Sequence, residues 1–207
     1  MLIIGLTGSI GMGKSTAANR FRTHNIPVFD ADAGVHQLYD GTSVEEIGKV
    51  FPLAIADGKV DRKILSSLVL GKPEQLRVLE DIIHPMVKEQ QRCFIAKAVA
   101  QGVDMAVLEI PLLFETGLDE KVDVTIVVTT SAEIQRERVL RREGMTVDKL
   151  ASILANQMPD KEKQSRADIV VDTSGMIEET KEKLDIIIES LRNSKGESLR
   201  KWISSDL

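Results

Sequence analysis

The sequence predicts an α/β fold: a five-stranded parallel sheet flanked by helices, carrying a helical insertion and a short helical lid. Three observations lead to it. Short apolar runs alternate with amphipathic stretches, the pattern left by right-handed strand–helix–strand crossovers. The first apolar run ends in a glycine-rich turn that feeds directly into a helical stretch. Residues 33–102 hold several helical stretches and no convincing strand.

Leu2 to Thr7 is a short apolar run ending at Gly8, as expected of a central strand buried on both faces. Lys14 to His24 reads as a helix, and Pro27 to Asp30 as the second strand. In the long helical region Pro85 is expected to begin a new helix, because its ring fits a first turn and clashes in an interior. From there to Ala100, Met86, Val87, Phe94, Ile95 and Ala98 fall roughly on one side. Asp104 to Ile110 and Val122 to Thr130 are the third and fourth strands, the latter β-branched almost throughout. Thr130-Ser131-Ala132-Glu133 fits a capping box, so a helix starts there, and Gly144 ends or bends it. Asp168 to Val171 is the fifth strand. A last helix, Met176 to Arg192, carries Ile177, Leu184, Ile187, Ile188 and Leu191 on one face. Beyond Asn193 the pattern is lost and fraying is expected. The resulting division is a core of residues 1–32, 103–135 and 167–207, a helical subdomain of 33–102, and a lid of 136–166.

Composition narrows the function. At 207 residues and 43% hydrophobic content the chain can bury one substantial core. A net charge of −5 argues against nucleic acid as the partner, since phosphate-backbone binders cluster positive charge. No apolar run reaches the roughly 18 residues of a membrane span. The single cysteine, Cys93, has no disulfide partner and no metal-ligand spacing around it, so a buried or inert thiol in a reduced, cytoplasmic setting is expected. The expected state is a monomer, with weak association the alternative.

The chemistry is carried first by Gly8-Ser9-Ile10-Gly11-Met12-Gly13-Lys14-Ser15, followed by Thr16, which matches the phosphate-binding pattern G-x-x-x-x-G-K-[ST]. Glycines at fixed points let successive backbone N–H groups converge on phosphate oxygens, and the following helix aims its positive end at the same anion. Lys14 should reach the β- and γ-phosphates of ATP, and the Ser15 hydroxyl should ligate Mg²⁺. A regulatory GTPase would need a guanine-reading N-K-x-D, which the chain lacks. Asp172-Thr173-Ser174-Gly175 matches D-x-x-G but lies too late in the chain to serve the γ-phosphate.

Asp30-Ala31-Asp32 closes the second strand, at the strand end where α/β sheets bind ligands. A carboxylate there can take the proton of an attacking hydroxyl, which favours Asp32; capping of the next helix is the competing role and favours Asp30. Gln135, Arg138 and Arg142 are spaced i, i+3, i+7 on one predicted helix face, and arginines on a lid can stabilise a phosphoryl transition state. Intrahelical pairing with Glu133, Glu137 and Glu143 is the plain alternative. Glu109 could hold a metal through water or cap a loop. His84, before Pro85, is more ordinarily a packing residue than a catalyst. His24, His36, Tyr39 and Trp202 carry no signal.

Further residues resemble one family. Gly5-Leu6-Thr7-Gly8 with its phosphate loop, Val28-Phe29-Asp30-Ala31-Asp32, Asp57 to Arg62, His84-Pro85 and Pro111-Leu112-Leu113-Phe114-Glu115 occur here in order. Gln135, Arg138, Arg142, Gly144, Gln157, Lys163 and Ala167-Asp168 follow them. In this combination the chain resembles the dephospho-coenzyme A kinases over nearly its whole length to about Gly175. The resemblance implies transfer of the ATP γ-phosphate to the ribose 3′-hydroxyl of dephospho-CoA, with Mg²⁺. It implies Asp32 as general base, Lys14, Arg138 and Arg142 as charge stabilisers, and Thr7, His84, Pro111, Leu112 and Glu115 near the acceptor. Thr173 to Gly175 would lie by the adenine of ATP. The family usually has Asn at position 173 and glycine where Pro52 stands. The alternatives are another small-molecule or nucleoside monophosphate kinase, or a sensor that binds ATP without transferring phosphate.

Overall fold

In the computed structural model, which describes residues 1–203, the apolar opening run forms β1 (Leu2–Thr7), every residue of it buried. The glycine-rich loop leads to α1 (Lys14–Thr23), then β2 (Val28–Asp30), α2 (Ala31–Tyr39) and α3 (Val44–Val50). A short hairpin follows, β3 (Ile55–Ala56) and β4 (Lys59–Val60), then α4 (Arg62–Val69) and the long α5 (Pro73–Ala100). The remaining elements are β5 (Met105–Glu109), β6 (Val124–Thr129), α6 (Ala132–Leu140), α7 (Val147–Ala155), α8 (Asp160–Arg166), β7 (Ile169–Asp172), α9 (Ile177–Leu191) and α10 (Arg200–Ile203).

The five-stranded sheet has the order β2-β5-β1-β6-β7, so β1 lies between β5 and β6. The β1–β5, β1–β6 and β6–β7 pairs are parallel, as predicted, with Leu6 opposite Glu109 and Thr7 opposite Val127. That register brings the end of β1 level with the ends of its neighbours, where α/β sheets place their ligands. The main core packs Phe21 of α1 and Leu184 and Ile188 of α9 against Ile4, Ile126 and Val128, all essentially inaccessible to water. Helices α1 and α9 are also joined at their rims. Arg20 donates through Nε and Nη2 to both oxygens of Asp185, and His24 Nε2 lies 2.7 Å from Asp185 Oδ1.

The chain divides into two compact units, residues 1–29 with 95–207, and residues 30–94. The second unit has its own core of Leu38, Ile47, Phe51, Leu65, Leu79 and Ile83. Two expectations fail within it. A hairpin exists where no strand was expected, because Asp57 (φ 50°) and Gly58 (φ 72°) form a turn with both central residues left-handed, the geometry that closes a two-residue hairpin. Pro85 does not begin a helix; it lies inside α5, whose start is Pro73. Pro85 and Asp81, the residue whose carbonyl loses its helical partner, are both exposed, so water can satisfy the orphaned oxygen.

Smaller corrections follow from the side chains. Ser131 rather than Thr130 is the N-cap of α6, accepting from the Ile134 N–H. Ile177, expected on the buried face of α9, is 57% exposed. Cys93 is exposed, not buried; its hydrogen bond to Glu89 raises the thiol pKa and keeps it protonated. The tail does not fray at Asn193: Trp202 is buried, and the segment remains docked through Ile203. Among the described residues no helix is long and apolar enough to cross a membrane.

Candidate active site

Strand β1 delivers the glycine-rich loop to the start of α1. At Gly8 (φ 150°) a β-carbon would stand 2.5 Å from the Val128 carbonyl oxygen, so only glycine lets the loop pass this close to β6. Gly13 (φ 93°) is the left-handed residue before α1, and no side chain caps that helix. The positive end of α1 therefore faces the loop, which is the arrangement that binds a phosphate. The Lys14 ammonium lies across the same loop, donating to Gly8 O at 2.6 Å and Ser9 O at 3.4 Å. Ser15, exposed in the first turn of α1, offers its hydroxyl beside it.

Both peptide groups of Ile10 are held by glutamines. Gln135 Nε2 on α6 donates to Ile10 O at 2.8 Å, and the Ile10 N–H donates to Gln157 Oε1 at 3.2 Å. Met12 faces β6, where its sulfur accepts from the Thr130 N–H. Gly11 packs against α6 near Val139. Thr16 lies in the first turn of α1, half-buried, its N–H donating to Gly13 O.

Beyond β7, Thr173 is buried and its hydroxyl bridges the site. It donates toward Met12 O (3.0 Å) and Thr129 O (3.1 Å) and accepts from Arg138 Nη1 at 3.0 Å. Arg138 Nη2 also donates to Thr173 O at 2.6 Å. Arg138 is thus half-buried and fixed beside the phosphate loop by Thr173, whose side chain packs against Gly13. Arg142 is not on the same helix face: α6 ends at Leu140, so the i+7 spacing does not carry to it, and it is exposed. Gly175, also exposed, precedes α9, and Asp172 is held below the ordinary carboxylate value, chiefly by the Ser174 hydroxyl and N–H.

The loop after β5 supplies a second side. Thr7 Oγ1 donates to Pro111 O at 3.1 Å, and Lys163 Nζ on α8 donates to the same oxygen at 2.8 Å. Lys163 also pairs with Glu115 Oε1 at 2.8 Å, and that oxygen accepts from the Met158 N–H at 2.7 Å. Burial alone would raise the Glu115 pKa, but Lys163 and the Met158 N–H together bring it below the ordinary value. Leu112 is exposed beside them, and Glu109 is buried at the end of β5.

Asp30, Asp32 and His84 belong to the other unit. Asp30 is the N-cap of α2, its carboxylate accepting from the Ala33 N–H at 2.9 Å. Asp32 lies exposed in the first turn of that helix, and His84 is exposed on α5. Gln157 and Lys163 were given no role by the sequence. In a polar, charge-rich stretch a buried lysine has the same letters around it as a solvated one, and only the family resemblance marked the position.

The family model described as CoaE: Dephospho-CoA kinase matches residues 2–179. The chain is 50% identical over 190 residues to a dephospho-CoA kinase of Rhodopseudomonas palustris (strain HaA2), covering 92% of this chain and 96% of that one. Its fold is similar to the crystal structure of TT1252 from Thermus thermophilus, with a TM-score of 0.79, 35% identity, and 92% and 97% of the two chains covered. It is also similar to a dephospho-CoA kinase from Campylobacter jejuni, at a TM-score of 0.65 and 23% identity over 91% and 96% of the chains, a likeness of fold.

Proposed function

The chain belongs to the dephospho-CoA kinase family, and from that premise we propose that it phosphorylates the ribose 3′-hydroxyl of dephospho-CoA with ATP, giving coenzyme A and ADP. The observation that carries this is the phosphate cradle: Gly8 to Gly13 between β1 and an uncapped α1, with the Lys14 ammonium laid across it. The hydroxyl oxygen forms the new bond to the γ-phosphorus, the bond to the β-phosphate oxygen breaks, and ADP leaves. Asp32 takes the hydroxyl proton. Lys14 and Arg138 meet the charge that spreads over the transferring group, and Arg142 joins them when the lid closes.

Gly8 to Thr16 bind the phosphates, and Thr173 and Gly175 flank the adenine. Thr7, His84, Pro111, Leu112 and Glu115 serve the acceptor. The Thr173 hydroxyl contributes indirectly, since it is committed to Met12, Thr129 and Arg138. The residues fit Mg²⁺: the Ser15 hydroxyl is exposed in the first turn of α1, next in the chain to Lys14, and a phosphotransferase Mg²⁺ needs few protein ligands beyond the nucleotide's own oxygens. Ser15 would hold it, and the ion would neutralise phosphate charge. The moving part of the lid is α7: α6 is tied to the phosphate loop by Gln135, and α8 is anchored by buried Lys163. A cytoplasmic setting, where ATP and Mg²⁺ are supplied, and a monomeric state belong to the same proposal.

The test is ADP release from Mg-ATP with dephospho-CoA, AMP, CMP, dTMP or adenosine as acceptor, with the product mass measured. Only dephospho-CoA should drive release and gain one phosphate. Phosphorylation of a different acceptor would leave the cradle assigned and the acceptor wrong. Release independent of any acceptor would make the chain an ATP sensor.

A further inference from the structure

Lys163 is the one lysine among the described buried residues, its side chain wholly inaccessible to water. Burying an ammonium is costly unless it is paired and hydrogen-bonded, and an apolar residue of similar volume is often no less stable in such a place. Its two acceptors show what it organises. One is Pro111 O, which also receives the Thr7 hydroxyl. The other is Glu115 Oε1, which also receives the Met158 N–H. Thr7 is the residue immediately before the phosphate loop. Met158 is the neighbour of Gln157, whose side-chain oxygen receives the Ile10 N–H.

The bonds therefore close a circuit: Thr7, Pro111, Lys163, Glu115, Met158, Gln157, Ile10, and back along the chain. The segment clasped between its ends is Gly8-Ser9. Those are the two residues whose carbonyls carry the Lys14 ammonium, at 2.6 and 3.4 Å. We propose that Lys163 is a positioning residue for nucleotide binding: through both arms of this circuit it sets the conformation of Gly8-Ser9, and with it the place from which Lys14 approaches the phosphates. The inference rests on the ATP-binding part of the proposed function and is independent of the acceptor.

The test measures Kd for a non-hydrolysable ATP analogue with Mg²⁺, without acceptor, in Lys163→Met, Gln157→Leu and the double variant. Lys163→Met should weaken binding about tenfold, about 1.4 kcal/mol, and Gln157→Leu several-fold. Because both act through one circuit, the double variant should be no weaker than Lys163→Met alone. Arg166→Gln is the comparison. Arg166 anchors the same helix, by an ion pair to Asp119 (2.7 Å) and by lying over the Phe114 ring (4.8 Å), but stands outside the circuit. It should lower Tm and leave Kd unchanged. If Lys163→Met does not fold, Glu115→Gln takes its place in the cycle, since Gln keeps an oxygen for the Met158 N–H while discharging the pair. Unchanged Kd in the circuit variants overturns the proposal. So does a double variant weakened by the product of the single effects, or an Arg166→Gln variant weakened as much as Lys163→Met. If the wild-type enzyme binds the analogue yet phosphorylates no acceptor, the acceptor assignment fails on separate grounds and the circuit's effect on Kd stands.

Discussion

Asp30 and Asp32 are two residues apart and differently placed. Asp30 spends its carboxylate on the Ala33 N–H as the N-cap of α2, while Asp32 lies exposed in the first turn of that helix, and the part proposed for it is to take the acceptor hydroxyl's proton. Asp30→Ala should cost about 1 kcal/mol of stability, the usual worth of an N-cap, read as a lower midpoint in urea. Asp32→Asn should keep the wild-type midpoint and bind the ATP analogue normally. Its kcat should fall by about 10² to 10⁴, the range a positioned base contributes. An Asp32→Asn enzyme with near-normal kcat, or one that unfolds, would return this residue to a structural part. At this scale the sequence was legible where chemistry demands a fixed spacing: the phosphate loop, which forms between β1 and α1, and Arg138, which lies beside it on Thr173; the part proposed for Asp32 rests on the kcat of its variant. It was not legible for Gln157, Lys163 or the Thr173 bridge. Their partners lie 147, 52 and 161 positions away in the chain, and no local spacing encodes a contact of that range.

Elements were predictable where one local preference had no competitor. Strand β6 is β-branched and buried throughout its centre, and it was found within two residues of its expected ends. Helix α5 shows the opposite case. Proline's local cost at position 85 pointed to a helix start, but apolar residues on both sides of it, Leu79 and Ile83 before and Ile95 and Ala98 after, are buried, and packing of one continuous helix outweighs a single lost bond at an exposed turn. The α1–α9 lock was also hidden, because Arg20, His24 and Asp185 meet only in the folded chain. Arg20, more than any other neighbour, holds the Asp185 pKa down to about 2. A depressed carboxylate stabilises the fold above its unfolded value of 3.8, and that stabilisation is lost as pH falls toward 2. Asp185→Asn should therefore lower Tm at pH 7. The gap between variant and wild type should shrink steadily below about pH 4. A gap independent of pH down to 2 would show that the ion pair contributes nothing beyond packing.

The molecule secures the two ends of its sheet by different means. The end that carries the phosphate loop is tied by side chains: Lys163, Gln135, Gln157 and Thr173. The opposite end, where β1 and β6 begin, is tied by the chain's own tail. The Asp123 carboxylate, just before β6, accepts from the N–H groups of Ile3, Glu197 and Ser198, each at 2.7 to 2.8 Å. Ser198 Oγ donates to Val122 O at 3.0 Å, and the Trp202 indole N–H donates to Lys121 O at 2.8 Å with the ring buried. Composition hid this because the tail has no periodic apolar face. An aromatic ring, a carboxylate and polar side chains of the tail dock it, and a lone tryptophan reads the same whether buried or exposed. Since the tail ties strand starts rather than strand ends, its loss should leave the cradle geometry intact. Trp202→Ala should cost about 3 kcal/mol, as for other buried tryptophans, and lower Tm by roughly 6 to 12 °C in a chain of this size. Below the new transition, kcat and the KM for ATP should stay within about twofold of wild type, because Glu197, Ser198 and Trp202 bond to residues 121–123, ahead of β6 and at the far end of the sheet from the loop. A kcat that falls in parallel with Tm would mean that order at the strand starts is transmitted along β1 to Gly8. In that case the strand starts would join Lys163, Gln135, Gln157 and Thr173 in fixing the loop.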